Sequence, residues 1–204
     1  MTDIIRPPHE RGLQPRDLID TADPEGQWLA QVPAHLRMLL FADGTVTKLL
    51  EACFWEPVVV AAAQQGPATP DVGRGVGLPG HDLLDRRIQL RGEHSGRCYA
   101  TARSLIARDH LPTDLAEALS AGRIGIGELL DGFGLETYRR ILEIGPTRPA
   151  AEPENTPWGT EDAAAVYRCY GIALRGLHVI HIREVFPVAP FRPSVGPGDR
   201  GPLT

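Results

Sequence analysis

Cysteine is scarce in this chain: Cys53, Cys98 and Cys169 are its only three among 204 residues, far apart and in no pair of metal-binding spacing. That scarcity excludes a disulfide framework and a zinc site built on close cysteine pairs, and it leaves the three as small core residues. Long apolar runs are missing too. No stretch approaches the roughly 20 residues that a membrane helix needs, and the opening MTDIIRPPHERG carries charges and prolines where a secretory signal would be apolar. The chain is therefore expected in the cytoplasm. Positive charge is in deficit, with Lys and Arg at 21 against 26 for Asp and Glu, a net charge of -5 and a pI near 5.8. This gives no general attraction for nucleic acid or anionic lipid and leaves room only for a local basic pocket. No internal repeat, coiled-coil heptad, DNA-reading helix-turn-helix or basic stripe is visible. Small-molecule chemistry is the class that remains.

What is present is an ordinary globular composition, 42% hydrophobic and 23% charged, in a length that suits one hydrophobic core and one domain. The organisation expected is a loosely held arm over 1–26, a single domain over 27–188, and a Pro/Gly-rich tail over 189–204. Two breaker-rich segments, GPATPDVGRGVGLPG (66–80) and GPTRPAAEPENTPWG (145–159), read as loops placed to border a pocket.

Between Pro33 and Cys53 the pattern predicts two short helices. The first buries Leu36, Leu39 and Leu40; the second follows Asp43-Gly44 with Thr45 as N-cap and Val46, Leu49, Leu50 and Cys53 on one face. Strands are predicted at 57–64, 84–91 and 97–106, the last two joined by GEHSG as an antiparallel hairpin. Thr113 is expected to cap a helix that buries Leu115, Ala118 and Leu119 and ends at Gly122. Two more short helices are expected to start near Ile126 and Leu135, and two final strands at 166–174 and 178–186 around a tight RGL turn. Antiparallel strands with a helical insert give an α+β fold with helices on one face of the sheet.

Two charges face the wrong way. Strand alternation puts Arg86 with Leu84, Ile88 and Leu90, and Glu184 with Ile180, Ile182 and Phe186. A lone buried charge costs several kcal/mol, so each group needs a partner or a wet cavity. Two readings fit: a structural salt bridge between them, or a pocket in which Arg86 grips an anion bidentately and Glu184 handles a proton or hydroxyl. The helix starts at Val46 and at Ile126, within Gly125-Ile126-Gly127, can present backbone N–H groups to an anion, as any helix start can.

Other patterns are set aside. His178-x-x-His181 has odd spacing in a strand, which sends the two rings to opposite faces and argues against shared chelation, so no metal site is assigned. GRGVGLPG lacks the Lys-Ser/Thr of a phosphate loop, and Ser95 and Ser104 lack the context of an activated nucleophile.

Four blocks resemble the chorismate pyruvate-lyases that make 4-hydroxybenzoate, in their actinobacterial form: LRMLLFADGTVTKLLEA, then LLDRRIQLRG with YATARSLIARDHLP, then IGIGELL with GLETYRR, and last HVIHIREVFP. The resemblance spans about Leu36 to Pro187. It implies an antiparallel sheet with helices against it and an internal ligand cavity, and a lyase that releases pyruvate from chorismate without metal or organic cofactor. It further implies a monomer with neither nucleic acid nor membrane as partner. By the same resemblance Arg86 matches the family's ligand-gripping arginine and Glu184 its carboxylate that meets the product hydroxyl. Val46 and Ile126 match its backbone contacts to the ligand carboxylate. Arg183 stands where relatives tend to have Thr, but its side chain is expected on the other face. Two alternatives stay open: a non-catalytic small-molecule-sensing domain, since the family fold is similar to the effector-binding domain of some winged-helix regulators, and a related pocket enzyme acting on another aromatic acid.

Overall fold

A computed structural model of the chain describes residues 12–19, 24–122, 124–147 and 164–192. Most of the predicted arm (1–11 and 20–23), most of the second loop (148–159) and most of the tail (193–204) lie outside the described residues.

The frame is one antiparallel sheet of six strands: β1 (Val58–Ala68), β2 (Leu83–Gly92), β3 (Cys98–Ala107), β4 (Thr137–Thr147), β5 (Ala165–Leu174) and β6 (Leu177–Pro187). Their order across the sheet is β1-β2-β3-β6-β5-β4. The helices are α1 (Arg16–Ile19), α2 (Pro24–Ala30), α3 (Ala34–Phe41), α4 (Val46–Phe54), α5 (Pro70–Gly75), α6 (Thr113–Ala121) and α7 (Ile126–Gly132). The main core joins Leu36, Leu39, Leu40, Val46, Leu50, Leu115, Leu119, Ile126 and Leu130 to Leu84, Ile88, Ile106, Ile172, Ile180 and Ile182 of the sheet. The expected α+β architecture is therefore what the chain adopts, with α3, α4, α6 and α7 over one face of an antiparallel sheet. Among the described residues no helix is long and apolar enough to cross a membrane.

Register decides which side chains share the covered face. Arg86 pairs with Ser104, Ser104 with Ile182, and Ile182 with Tyr170. In the next row Ile88 pairs with Ala102, Ala102 with Glu184, and Glu184 with Arg168. Because side chains alternate along each strand, all of these project toward the helices. The β5–β6 hairpin closes through Arg175 (φ 51) and Gly176 (φ 82). Positive φ at both central residues is the type I′ turn that suits the twist of paired strands.

Several expectations change. The segment 66–80 is not a plain loop: β1 continues to Ala68, and α5 follows. A Cβ on Gly73 would collide with Leu83, whose side chain is buried on the sheet face opposite Arg86, so α5 packs on that second face. The helix expected near Leu135 is instead β4. Leu135, Tyr138, Ile141 and Leu142 fall at near-helical spacing, but Tyr138 and Leu142 are exposed, and pairing with β5 overrides the local pattern. Thr113 is the first residue of α6 rather than its cap, which is Pro112; neither Pro112 nor Thr45 makes a side-chain capping bond. On α4 only Val46 and Leu50 of the predicted stripe are buried; Leu49 and Cys53 are exposed, so Cys53 is not a core residue.

His178 and His181 also differ from the simple alternation. The pairing jumps from Ile172↔Ile180 to Ala173↔His178, a bulge at Val179 that brings both rings to one face with centroids 6.0 Å apart. Among the described residues, no group of three or more potential ligands gathers around them or elsewhere. At the ends, Leu13 is half-buried against the core and donates its N–H to the Ile141 carbonyl at 2.9 Å, and Phe191, in a short 3-10 turn over Ala189–Phe191, is buried in the core.

Candidate functional site

A cavity lies between the covered sheet face and the amino-terminal ends of α4 and α7. Gly44, Thr45, Val46 and Thr47 line one side and Gly125, Ile126 and Gly127 another; the sheet contributes Ile88, Ala102, Ser104, Tyr170, Ile182, Glu184 and Arg139. The two helix starts approach closely because Gly127 has no side chain. A Cβ there would sit 2.9 Å from both Cγ2 and Oγ1 of Thr45. Neither helix has a side-chain cap, so the first-turn N–H groups of both are left for another acceptor. Farther along, Lys48 of α4 and Asp131 of α7 pair at 3.1 Å on the exposed side.

Arg86 is buried, 1% exposed. Its Nη2 donates to the carbonyls of Gly122 (3.2 Å) and Ile124 (2.8 Å), which belong to the connection from α6 to α7. Nε and Nη1 are buried without a hydrogen-bond partner. Burial lowers the guanidinium pKa, a sign that the charged form is held at a cost. Two orphaned guanidinium donors in an apolar setting are the electrostatic condition for taking up an anion.

Glu184 does not pair with Arg86. It bonds Arg168 instead: Nε of Arg168 lies 2.7 Å from Oε2, and the Tyr170 hydroxyl lies 3.0 Å from Oε1. Arg168, itself 1% exposed, also donates through Nη1 to the carbonyls of Leu39 (2.6 Å) and Ala42 (2.7 Å) at the end of α3, and its guanidinium lies over the Tyr170 ring at 4.7 Å. Burial alone would lower the Arg168 pKa, but the charge of Glu184 and the bonds to Glu184 and Tyr170 outweigh it and raise it. Burial, then the Glu184 charge, pushes the Tyr170 hydroxyl well above its ordinary range, so it stays a donor. The result is a carboxylate fixed from behind by one guanidinium and one phenol, with its side chain lining the cavity.

The structure thus brings Glu184, Val46 and Ile126 to one cavity and sets Arg86 beside it, next to Ser104 on β3. The salt bridge weighed as one reading exists, but with Arg168 as the cation. Arg168 escaped the sequence reading although the signal was available, since alternation in β5 puts it among Val166, Tyr170, Ile172 and Leu174. Arg139 was missed because its segment reads as a helix. Arg183, as expected, is on the other face, stacked over Tyr167 at 3.7 Å.

The fold can be placed among known ones. The chain is similar to the crystal structure of PhnF from Mycobacterium smegmatis, with a TM-score of 0.54 at 12% identity, over 72% of this chain and 64% of that one. At that identity the likeness concerns the fold alone.

In sequence the chain is similar to proteins named chorismate pyruvate-lyase. It is 32% identical to that of Mycobacterium leprae (strain TN) over 118 residues, 57% of this chain and 56% of the relative. It is 29% identical to that of Mycobacterium tuberculosis (strain ATCC 25618 / H37Rv) over 127 residues, 58% of this chain and 62% of the relative. The match spans less than two thirds of either relative. No protein-family model matches the chain.

Proposed function

We propose that the protein is a lyase that eliminates pyruvate from chorismate to give 4-hydroxybenzoate. The observation that carries this reading is Arg86: a buried guanidinium with two unpartnered nitrogens, on the same sheet face as a carboxylate that is already anchored. The relatives' name supplies the substrate, and the cavity supplies groups that suit it. The ring carboxylate lies against Arg86 and the first-turn N–H groups at Val46 and Ile126, and the ring hydroxyl donates to Glu184. Isoleucine and alanine side chains pack on the ring faces.

In the reaction the ring C3–O bond breaks and the electron pair leaves with the enolpyruvyl oxygen. The proton on the hydroxyl-bearing carbon is lost, and its C–H pair completes the aromatic ring. The departing enolate takes up a proton and becomes pyruvate. Aromatisation drives the step, so the protein's task is to orient a dianion and to stabilise negative charge on the leaving group. Glu184, fixed by Arg168 and Tyr170, positions the hydroxyl carbon at the point where its proton departs.

The test is pyruvate release from chorismate, read by coupled lactate dehydrogenase, with the aromatic product identified by mass. Pyruvate and 4-hydroxybenzoate are expected in equal amounts, and Arg86→Ala and Glu184→Gln are each expected to lower kcat/KM by about 100-fold or more. Gln at 184 keeps an acceptor for Arg168, which Ala would strand. Tight binding of an aromatic acid without pyruvate release would instead make this a sensing domain. Release of a different product would make it a pocket enzyme for another aromatic acid.

A further inference from the structure

We infer that Arg139 forms a second carboxylate subsite in the cavity, opposite Arg86, which recognises the side-chain carboxylate of a dianionic ring substrate and has no counterpart in binding the monoanionic product. The inference rests on the reading of the cavity as an aromatic-acid site and names the charge pattern of its ligand.

Three arginines border the cavity or back its lining: Arg86, Arg168 and Arg139. Arg168 is neutralised by Glu184 at 2.7 Å. Arg86 and Arg139 have no carboxylate partner among the described residues; Arg139 donates through Nη1 to the Asp43 carbonyl at 2.8 Å, which orients the guanidinium without cancelling its charge. Glu184 and Arg139 line the cavity and Arg168 and Arg86 lie beside it; with Arg168 paired to Glu184, two guanidinium groups are left, which suits a ligand of two negative charges, not one.

Placement agrees. Arg86 is on β2 and Arg139 on β4, four strand steps apart, so their backbones are separated by about 19 Å at ordinary strand spacing. Arg139 lines the cavity and Arg86 lies beside it, on opposite sides of β6 in the strand order. Glu184 is on β6, between those two strands in the sheet order, and Arg139 is near enough to Tyr170, the donor to Glu184, for its charge to act on that hydroxyl. In chorismate the enolpyruvyl ether is on the ring carbon next to the one bearing the hydroxyl. With the ring carboxylate at Arg86 and the hydroxyl at Glu184, the second carboxylate extends from the Glu184 end, where Arg139 reaches. Loss of the enolpyruvyl group removes this anchor, so the product is held at Arg86 and Glu184 with nothing at Arg139.

The experiment is titration calorimetry on the full chain with two synthetic ligands, 4-hydroxybenzoate and 3-(carboxymethoxy)-4-hydroxybenzoate, which differ by a side-chain carboxylate at the position of the enolpyruvyl ether. The wild type is expected to favour the dianion. Arg139→Gln is expected to weaken dianion binding by about 10-fold to 100-fold while leaving 4-hydroxybenzoate within about twofold, and Arg139→Lys to restore part of the loss. A folded R139Q protein that keeps the wild-type preference, or a wild type with no preference, overturns the subsite. If R139Q does not fold, the wild type alone decides: equal affinity for the two ligands counts against the subsite. Chorismate turnover is measured separately. A wild type that releases no pyruvate yet shows an Arg139-dependent preference for the dianion refutes the lyase reading and leaves the subsite standing.

Discussion

Arg86 and Arg168 are both 1% exposed, yet they stand in opposite energetic positions. Arg168 has every reason to be where it is, with Glu184 on one side and two carbonyls at the end of α3 on the other. Breaking a buried pair by removing one member strands the other charge, so Arg168→Met is expected to destabilise the fold by about 3–5 kcal/mol, measured by urea unfolding. The double variant Arg168→Met/Glu184→Gln is expected to recover part of that loss. Arg86 is the reverse case. Its burial is uncompensated at Nε and Nη1, so Arg86→Met is expected to leave stability unchanged or raise it by about 1–2 kcal/mol while ligand binding is lost. A marked drop in the unfolding midpoint of R86M would show that Arg86 has a structural role.

At the scale of elements, the site depends on how α4 and α7 meet. Their starts come together across Gly127 and Thr45, and the gap that would admit a ligand carboxylate is bounded by that contact. Gly127 is inside a helix, where Ala is intrinsically better by about 1 kcal/mol. A Cβ there must displace the Thr45 side chain or part the two helix ends. Gly127→Ala is therefore expected to keep or slightly raise the thermal midpoint while weakening 4-hydroxybenzoate binding by about tenfold, the equivalent of one well-formed charged hydrogen bond. Unchanged affinity would mean that the helix starts are not the ligand's contact.

For the whole molecule, acid sensitivity is set on faces away from the cavity. Burial, with His178 beside it, holds the His181 imidazole down to about 4 from an ordinary 6.5, and its buried Nδ1 has no partner. His178 is lowered in the same sense, mainly by burial. Between those two values the unfolded chain binds a proton that the folded one refuses, so stability is intact above pH 6.5 and falls as pH drops toward 4. Urea midpoints measured across pH 7.5 to 4.5 are expected to fall in the wild type and to fall less in the H181Q protein. Glu56 acts in a lower window. Its carboxylate is held at about 2 by hydrogen bonds from Tyr99 and Ser95, so its contribution is lost only as pH falls below about 4.5. An equal slope in H181Q and wild type between pH 6.5 and 4.5 would place the sensitivity elsewhere.

Alternation and capping signals in the sequence determined five of the six strands, helices α3, α4, α6 and α7, and the two inward charges, because period-two and period-3.6 patterns are local properties of the chain. The partners of those charges were decided only in three dimensions. Whether Glu184 meets Arg86 or Arg168 depends on strand order and register, and β6 lies between β3 and β5, so Arg168 is the cross-strand neighbour. The same holds for β4, whose near-helical spacing is overruled by pairing with β5, and with it for Arg139. The bulge that turns His178 toward His181, and the docking of α5 on the second face of the sheet, are likewise set by neighbours distant in sequence, since neither a displaced register nor a shared face leaves a mark on a single segment.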